Sequence, residues 1–308
     1  MSTATTAAGA AGAAGATVGE LRAAVLVEAL PYIQRFRGAI VVVKYGGNAM
    51  VDPELARAVA ADVVLLRAVG LRPVVVHGGG PQISALMERL GKEPEFRDGL
   101  RVTDAETVDI ARMVLVGKVN REIVSAINVH GPIAVGISGE DAGLILASAR
   151  NPELGFVGEV AAVNPGIVHK LLAEDLIPVV STIGSDAEGQ AYNINADTVA
   201  GALAAALGAE KAIFLTDIAG LLLDVDDPET LVSRIDAPEL DAMIADGRLS
   251  GGMIPKVAAA LDAVRHGVGS AHLLDGRIPH VLLLELFSDE GVGTMITDGA
   301  PDLEGAGA

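Results

Sequence analysis

The sequence predicts an α/β protein built on a mostly parallel sheet covered by helices. Two observations carry this. Short apolar runs rich in Val and Ile fall at 39–44, 73–77, 132–138, 177–183, 211–217 and 281–287, and bounded runs of this kind are how strands buried on both faces read. Between them lie stretches whose apolar residues recur at helical spacing. In such a sheet, ligands sit in crevices at the carboxyl ends of the strands, so chemistry is sought in the residues that follow each run.

The 308 residues exceed the usual size of one compact core, which sets an expectation of one large domain or two closely joined lobes. Hydrophobic residues make up 51%, but no apolar run reaches the roughly 18 residues of a membrane span, so no membrane partner is expected. A net charge of −18, three Tyr, five Phe and no Trp leave neither the cations for a phosphate backbone nor the aromatics for stacked bases. No nucleic-acid partner is expected. The absence of cysteine excludes thiolate nucleophiles, Cys-ligated zinc and disulfides. Residues 1–16 carry no secretory signature, so a cytoplasmic protein is expected.

In chain order, residues 1–16 are nearly all Ala, Gly, Ser and Thr and read as a disordered tail. Thr17-x-x-Glu20 reads as a capping box that opens an N-terminal helix over 17–37, with Leu21, Val25, Leu26, Leu30 and Ile33 on its apolar side. Pro31 should kink or restart it. Such a helix either packs on its own domain or reaches another subunit. A Gly- and Val-rich stretch at 157–168 with Asn164-Pro165-Gly166 inside it suggests hairpin strands. Residues 299–308 are polar and Gly-rich, a frayed end.

Two strand ends stand out. The first run leads into Lys44-Tyr45-Gly46-Gly47, and the second into His77-Gly78-Gly79-Gly80 followed by Pro81 and a helix from about Gln82. Glycines let backbone N–H groups approach an anion, a lysine adds a point charge, and a helix N-terminus favours phosphate. Neither loop has P-loop or dinucleotide-binding spacing. Each alone is compatible with an ordinary strand-to-helix turn; two at neighbouring strand ends point to a phosphate site.

In an acidic chain, single lysines are informative. Lys256 follows Gly251-Gly252-Met253-Ile254-Pro255 in the first turn of a helix, where a cation opposes the helix dipole unless it meets an anion; an exposed lysine reaching to water is the plain alternative. In Asn193-Ile194-Asn195-Ala196-Asp197, extended alternation points Asn193 and Asn195 the same way, and Asp197 is placed as an N-cap. Arg101 suits bidentate carboxylate recognition. His77 reads as a structural residue at the end of a buried strand rather than a general base, and the histidines lack metal-ligand spacing, so no protein-held metal is expected.

Taken in order, Lys44-Tyr45-Gly46-Gly47-Asn48-Ala49-Met50, His77-Gly78-Gly79-Gly80-Pro81-Gln82, Gly99-Leu100-Arg101-Val102-Thr103, Asn193 to Asp197, and Gly251-Gly252-Met253 with Lys256 resemble the N-acetyl-L-glutamate kinases of the amino-acid kinase family over residues 22–298. The resemblance implies a three-layer αβα sandwich over 38–298, with a substrate lobe at about 38–200 and a nucleotide lobe at about 200–298. It implies phosphorylation of the side-chain carboxylate of N-acetyl-L-glutamate by ATP, whose Mg2+ is carried by the nucleotide. Lys44 and Lys256 would neutralise the transferring group and Asp197 would hold both lysines. Gly46, Gly47 and Gly78 would bind phosphates, while Gly79, Gly80, Arg101 and Asn193 would bind the substrate. A carboxylate nucleophile is already ionised, so positioning and charge neutralisation suffice without a general base.

Tyr32, Lys211, His272, Glu285 and Gly291 further resemble the arginine-inhibited branch. There, N-terminal helices interlace dimers into a hexameric trimer of dimers and arginine binds near the helix base. A buried strand ending on the acid Glu285 is the structural alternative. The competing functions are a sister kinase acting on aminoadipate, aspartate or carbamate, a non-catalytic nucleotide or arginine sensor, and a dehydrogenase, which the glycine spacing disfavours.

Overall fold

Alternation along the central strands decides which side chains reach the cleft. The computed structural model describes residues 17–97, 99–224, 227–249, 253–288 and 291–299. The tails expected at 1–16 and, apart from Gly299, at 299–308 lie outside the described residues, as do Gly251 and Gly252.

The strands are β1 (Ile40–Tyr45), β2 (Arg72–His77), β3 (Phe96–Arg97), β4 (Leu100–Arg101), β5 (Ala134–Ser138), β6 (Ile145–Ala149), β7 (Val157–Val163), β8 (Ile177–Ser181), β9 (Ile183–Ser185), β10 (Ala191–Ile194), β11 (Lys211–Thr216), β12 (Arg234–Asp236), β13 (Ser270–Asp275) and β14 (Thr294–Thr297). Eight form one sheet in the order β12-β14-β13-β11-β1-β2-β8-β5. Its neighbours run parallel except β13 and β14. Strands β6, β7, β9 and β10 close a small barrel, and β3 pairs with β4.

The helices are α1 (Val18–Glu28), α2 (Leu30–Phe36), α3 (Pro53–Ala68), α4 (Gly80–Arg89), α5 (Ala105–Arg112), α6 (Asn120–Asn128), α7 (Gly166–Ala173), α8 (Ala196–Leu207), α9 (Ala237–Ala245), α10 (Met253–Arg265) and α11 (Val281–Leu286). Val41, Val43, Val75, Val179 and Ile213 share a core with α3, α6 and α11, while Val42, Val74, Val76, Val180 and Phe214 share one with α7 to α10. The sheet is therefore filled on both faces, giving the three-layer αβα sandwich. Full burial of each such side chain contributes about 1.5–3 kcal/mol, which is why these strands read as unbroken apolar runs.

Two expectations are corrected. The run 281–287 is not a strand but α11: it is leucine-rich, and leucine favours helix where a true strand carries β-branched residues. The places expected of it are taken by β13 and β14. Asn164-Pro165-Gly166 does not turn a hairpin but starts α7, with Pro165 at the N-cap; β7 is instead the second arm of a hairpin with β6. At the N-terminus, the Thr17–Glu20 capping box forms and Pro31 restarts the chain as α2. Helix α1 buries no residue, and Leu21, Val25, Leu26 and Leu30 are exposed.

Candidate active site

Lys44 lies next to the end of β1 on the same face as Val42, so it points toward α8. The N-cap of α8 is Asn195, not Asp197: Asn195 Oδ1 accepts from Asp197 N at 2.8 Å and Thr198 N at 3.2 Å. A capping residue must precede the helix, and α8 begins at Ala196, two residues earlier than capping by Asp197 allows. The Asp197 carboxylate is thereby left for the lysines. Lys44 Nζ stands 2.9 Å from Oδ1 and Lys256 Nζ 3.6 Å from Oδ2. The Lys44 contact is electrostatic, because buried Oδ1 has no donor aligned on it for a hydrogen bond. Burial opposes ionisation of Asp197, but Lys44 and then Lys256 outweigh it and hold the carboxyl below its ordinary value. Helix α10 delivers Lys256 because it packs tightly on α8; a Cβ at Gly201 would lie 2.8 Å from Ala259 O.

A cleft of about 250 Å³ opens beside this triad, lined by Lys44, Gly46, Gly47, Gly78, Gly79, Gly80, Arg101, Asn193 and Asp197. Both glycine loops thus share one cavity with Lys44, Arg101 and Asp197, while Lys256 meets the other oxygen of Asp197. Gly47 has φ 69, and a Cβ there would overlap the Asp217 carboxylate. Asp217 follows β11 in the position that Lys44-Tyr45 leads into on β1, and sequence reading counted it as strand. The rule applied to β1, to look just past the strand, would have found it.

Arg101 is buried with its guanidinium 4.7 Å from the Phe96 ring centroid. It donates to Gly80 O at 2.9 Å and to Ser84 Oγ at 2.8 Å, so it braces the second glycine loop as well as lining the cleft. Asn193 sits on β10 with its backbone N–H donating to Phe156 O at 3.0 Å, and its side chain lines the same cleft. The arrangement can hold a polyanion against two ammonium groups and a second acid against Arg101.

Residues 39–275 match the model of the amino acid kinase family. The acetylglutamate kinase of Saccharopolyspora erythraea is 57% identical over 282 residues, spanning 89% of this chain and 92% of that protein. The chain belongs to the amino acid kinase family, among its acetylglutamate kinases. It is a kinase. A solved N-acetylglutamate synthase from Neisseria gonorrhoeae, complexed with coenzyme A and N-acetyl-glutamate, aligns with a TM-score of 0.78 at 25% identity, over 89% of this chain and 63% of that one. Carbamate kinase from Giardia lamblia shares the fold, with a TM-score of 0.62 at 18% identity over 84% of this chain and 98% of that one.

A second cluster of the kinase lies away from the cleft. Lys211 Nζ donates to His272 Nε2 at 3.1 Å and to Ser270 Oγ at 3.3 Å, and stands 5.2 Å from the Phe36 ring centroid. His272 Nδ1 donates to Glu285 Oε1 at 2.6 Å, and Val292 N donates to Glu285 Oε2 at 3.0 Å. Gly291 lies beside the same carboxylate, and Tyr32 packs on the core that holds Phe36. Glu285 is on helix α11, so the alternative of a strand ending on an acid falls away. Burial depresses His272 and keeps it neutral, while the His272 hydrogen bond overcomes burial and keeps Glu285 ionised. No helix among the described residues is long and apolar enough to cross a membrane.

Proposed function

We propose that the kinase moves the γ-phosphoryl group of MgATP to the side-chain carboxylate of N-acetyl-L-glutamate, the second step of arginine synthesis. The observation that carries this is Asp197 set between Lys44 and Lys256 on the wall of a cleft with two glycine loops. A substrate carboxylate oxygen attacks the γ-phosphorus, the bond to the bridging oxygen breaks, and ADP leaves with N-acetyl-L-glutamyl 5-phosphate formed. No proton is taken from the nucleophile, so the site needs no base. Lys44 and Lys256 neutralise charge on the transferring group. Asp197 holds them, and being spent on two cations it is a poor magnesium ligand; Mg2+ enters on the nucleotide.

Backbone N–H groups of Gly46, Gly47 and Gly78 serve phosphate oxygens. Those of Gly79 and Gly80 serve the reacting carboxylate, while Arg101 and Asn193 take the α-carboxylate. On this reading residues 38–200 hold the acid and 200–298 the nucleotide, in the cytoplasm and with no nucleic-acid partner. The test is a MgATP-dependent assay with acetylglutamate, the acyl phosphate being trapped with hydroxylamine. Formation of the hydroxamate is expected; none, with aminoadipate, aspartate or carbamate consumed instead, would reassign the substrate.

We further propose that arginine binds at Tyr32, Lys211, His272, Glu285 and Gly291 and inhibits. Glu285 carries the carboxylate a guanidinium pairs with. The exposed apolar residues of α1 support an arm, at 17–37, that meets another subunit and joins dimers into a hexamer. Mass in solution tests this: a dimer whose activity ignores arginine would sink both claims.

A further inference from the structure

His77 takes no part in the reaction above, yet it is fully buried at the end of β2, one residue before the Gly78–Gly80 loop. Alternation sends it to the face opposite Lys44, where Asn120, the first residue of α6, is also fully buried. Two carbonyls define the protons between them. His77 Nδ1 is 2.9 Å from Gly78 O, and Asn120 Nδ2 is 2.9 Å from Val179 O. A carbonyl only accepts, so Nδ1 carries the hydrogen and Asn120 presents its NH₂. That NH₂ is 3.1 Å from His77 Nε2, which is therefore the acceptor. Arg121 donates to Asn120 Oδ1 and holds the amide against a flip. Burial pushes His77 down to about 4 despite its bond to Gly78, and the Arg121 charge adds to the depression. In register beside His77 stand Tyr45 on β1 and Ser181 on β8.

In a trans peptide the C=O and N–H point in opposite directions. A Gly78 carbonyl drawn to the imidazole therefore turns the Gly79 N–H away from it, toward the cleft. Among the described residues that N–H has no backbone acceptor, while the Gly79 carbonyl accepts from Ile83 N at 2.9 Å. The loop is walled from the other side, since a Cβ at Gly79 would lie 2.7 Å from Leu115 Cδ2 and 3.2 Å from Val119 Cγ2. Both belong to the π-helical stretch Met113–Val119 that delivers Asn120. Such turns concentrate at functional sites, and this one supplies the wall and the amide together.

We infer that His77 and Asn120 are positioning residues: Asn120 holds the imidazole as the Nδ1–H tautomer, and that N–H holds the Gly78–Gly79 peptide with its amide aimed at the reacting oxygens. The inference rests on the reaction proposed above. It is tested on the full chain. Spectra of ¹⁵N-histidine-labelled protein, with His77→Asn assigning the signal, should show one Nδ1–H tautomer unchanged from about pH 8 to about pH 5.5. An Nε2–H tautomer, or titration near the ordinary 6.5, overturns it.

His77→Asn keeps a donor at the Nδ1 position and should hold kcat within about tenfold. His77→Gln moves the amide to the Nε2 position and should lose about a hundredfold in kcat with KM within about threefold. Equal losses overturn the inference. Asn120→Asp gives a readout that misfolding does not imitate. A carboxylate beside Nε2 favours the imidazolium, which still donates to Gly78; as pH rises, the proton retained is the one on Nε2 and the loop is released. Turnover should then fall reversibly above the ordinary histidine range of about 6.5, an alkaline limb absent from the unaltered chain. A parallel pH profile overturns the inference. Failure of the unaltered chain to phosphorylate acetylglutamate, with the Nδ1–H tautomer present, counts against the reaction instead.

Discussion

Lys44 Nζ stands 2.9 Å from Asp197 Oδ1, with only 9% and 8% of the two side chains exposed. Lys256, 3.6 Å from the other oxygen, is 27% exposed. The two lysines should therefore separate in stability while agreeing in catalysis. Lys44→Ala leaves a buried carboxylate short of its nearer partner, at a cost on the order of 3–5 kcal/mol. Lys256→Ala should cost far less, because its charge is partly solvated. Each should lower kcat by about a hundredfold or more, as for loss of a preorganised transition-state donor. Thermal melts and steady-state rates check the pair; unchanged turnover in both variants would falsify their role.

Arg101→Ala should act on binding. Its guanidinium lines the cleft beside Phe96, and removing it takes away contacts made by ground state and transition state alike. KM for acetylglutamate should rise by about tenfold or more with kcat within about threefold. A fall in kcat at unchanged KM would move Arg101 from the substrate to the loop it braces through Gly80 O.

The central parallel strands and the site loops were legible because β1 and β2 carry unbroken apolar runs that give way to a residue unlike them, Lys44 and His77. What escaped was set by tertiary contact. Strand β13 carries Ser270 and His272 in a fully buried position, polar residues that break the run and make sense only beside Lys211. The leucines of α11 looked like a strand because six residues are too few to show a period. Asp197 read as a cap until Asn195 took that place, and Asn120 carries no local signal, since its partners lie on β2 and β8.

Glu285→Gln should separate inhibition from catalysis. The carboxylate binds His272 and Val292 N and lines no part of the cleft described above. Without arginine, kcat should stay within about twofold of the unaltered chain, while the arginine concentration for half inhibition rises by about tenfold, as for loss of a charged hydrogen bond of about 1.5–3 kcal/mol. Dose–response curves with and without the substitution decide it, and an unshifted curve removes Glu285 from the effector site.

Stability should fall on mild acidification, and the sign follows from His77. Its folded value of about 4 lies below the ordinary 6.5, so between the two the unfolded chain binds a proton that the folded chain refuses. The contribution is fully present above pH 6.5 and is lost as pH falls toward 4, by about 3 kcal/mol in all. His272 is depressed by burial as well and adds in the same direction. Asp197 and Glu285 act lower, because a depressed carboxylate loses its contribution only as pH falls below its ordinary value and through the folded one. Urea midpoints measured from about pH 7 to about pH 5 should therefore drop, and His77→Asn should flatten the slope. A slope unaltered by that substitution would mean that His77 does not stay neutral in the folded chain.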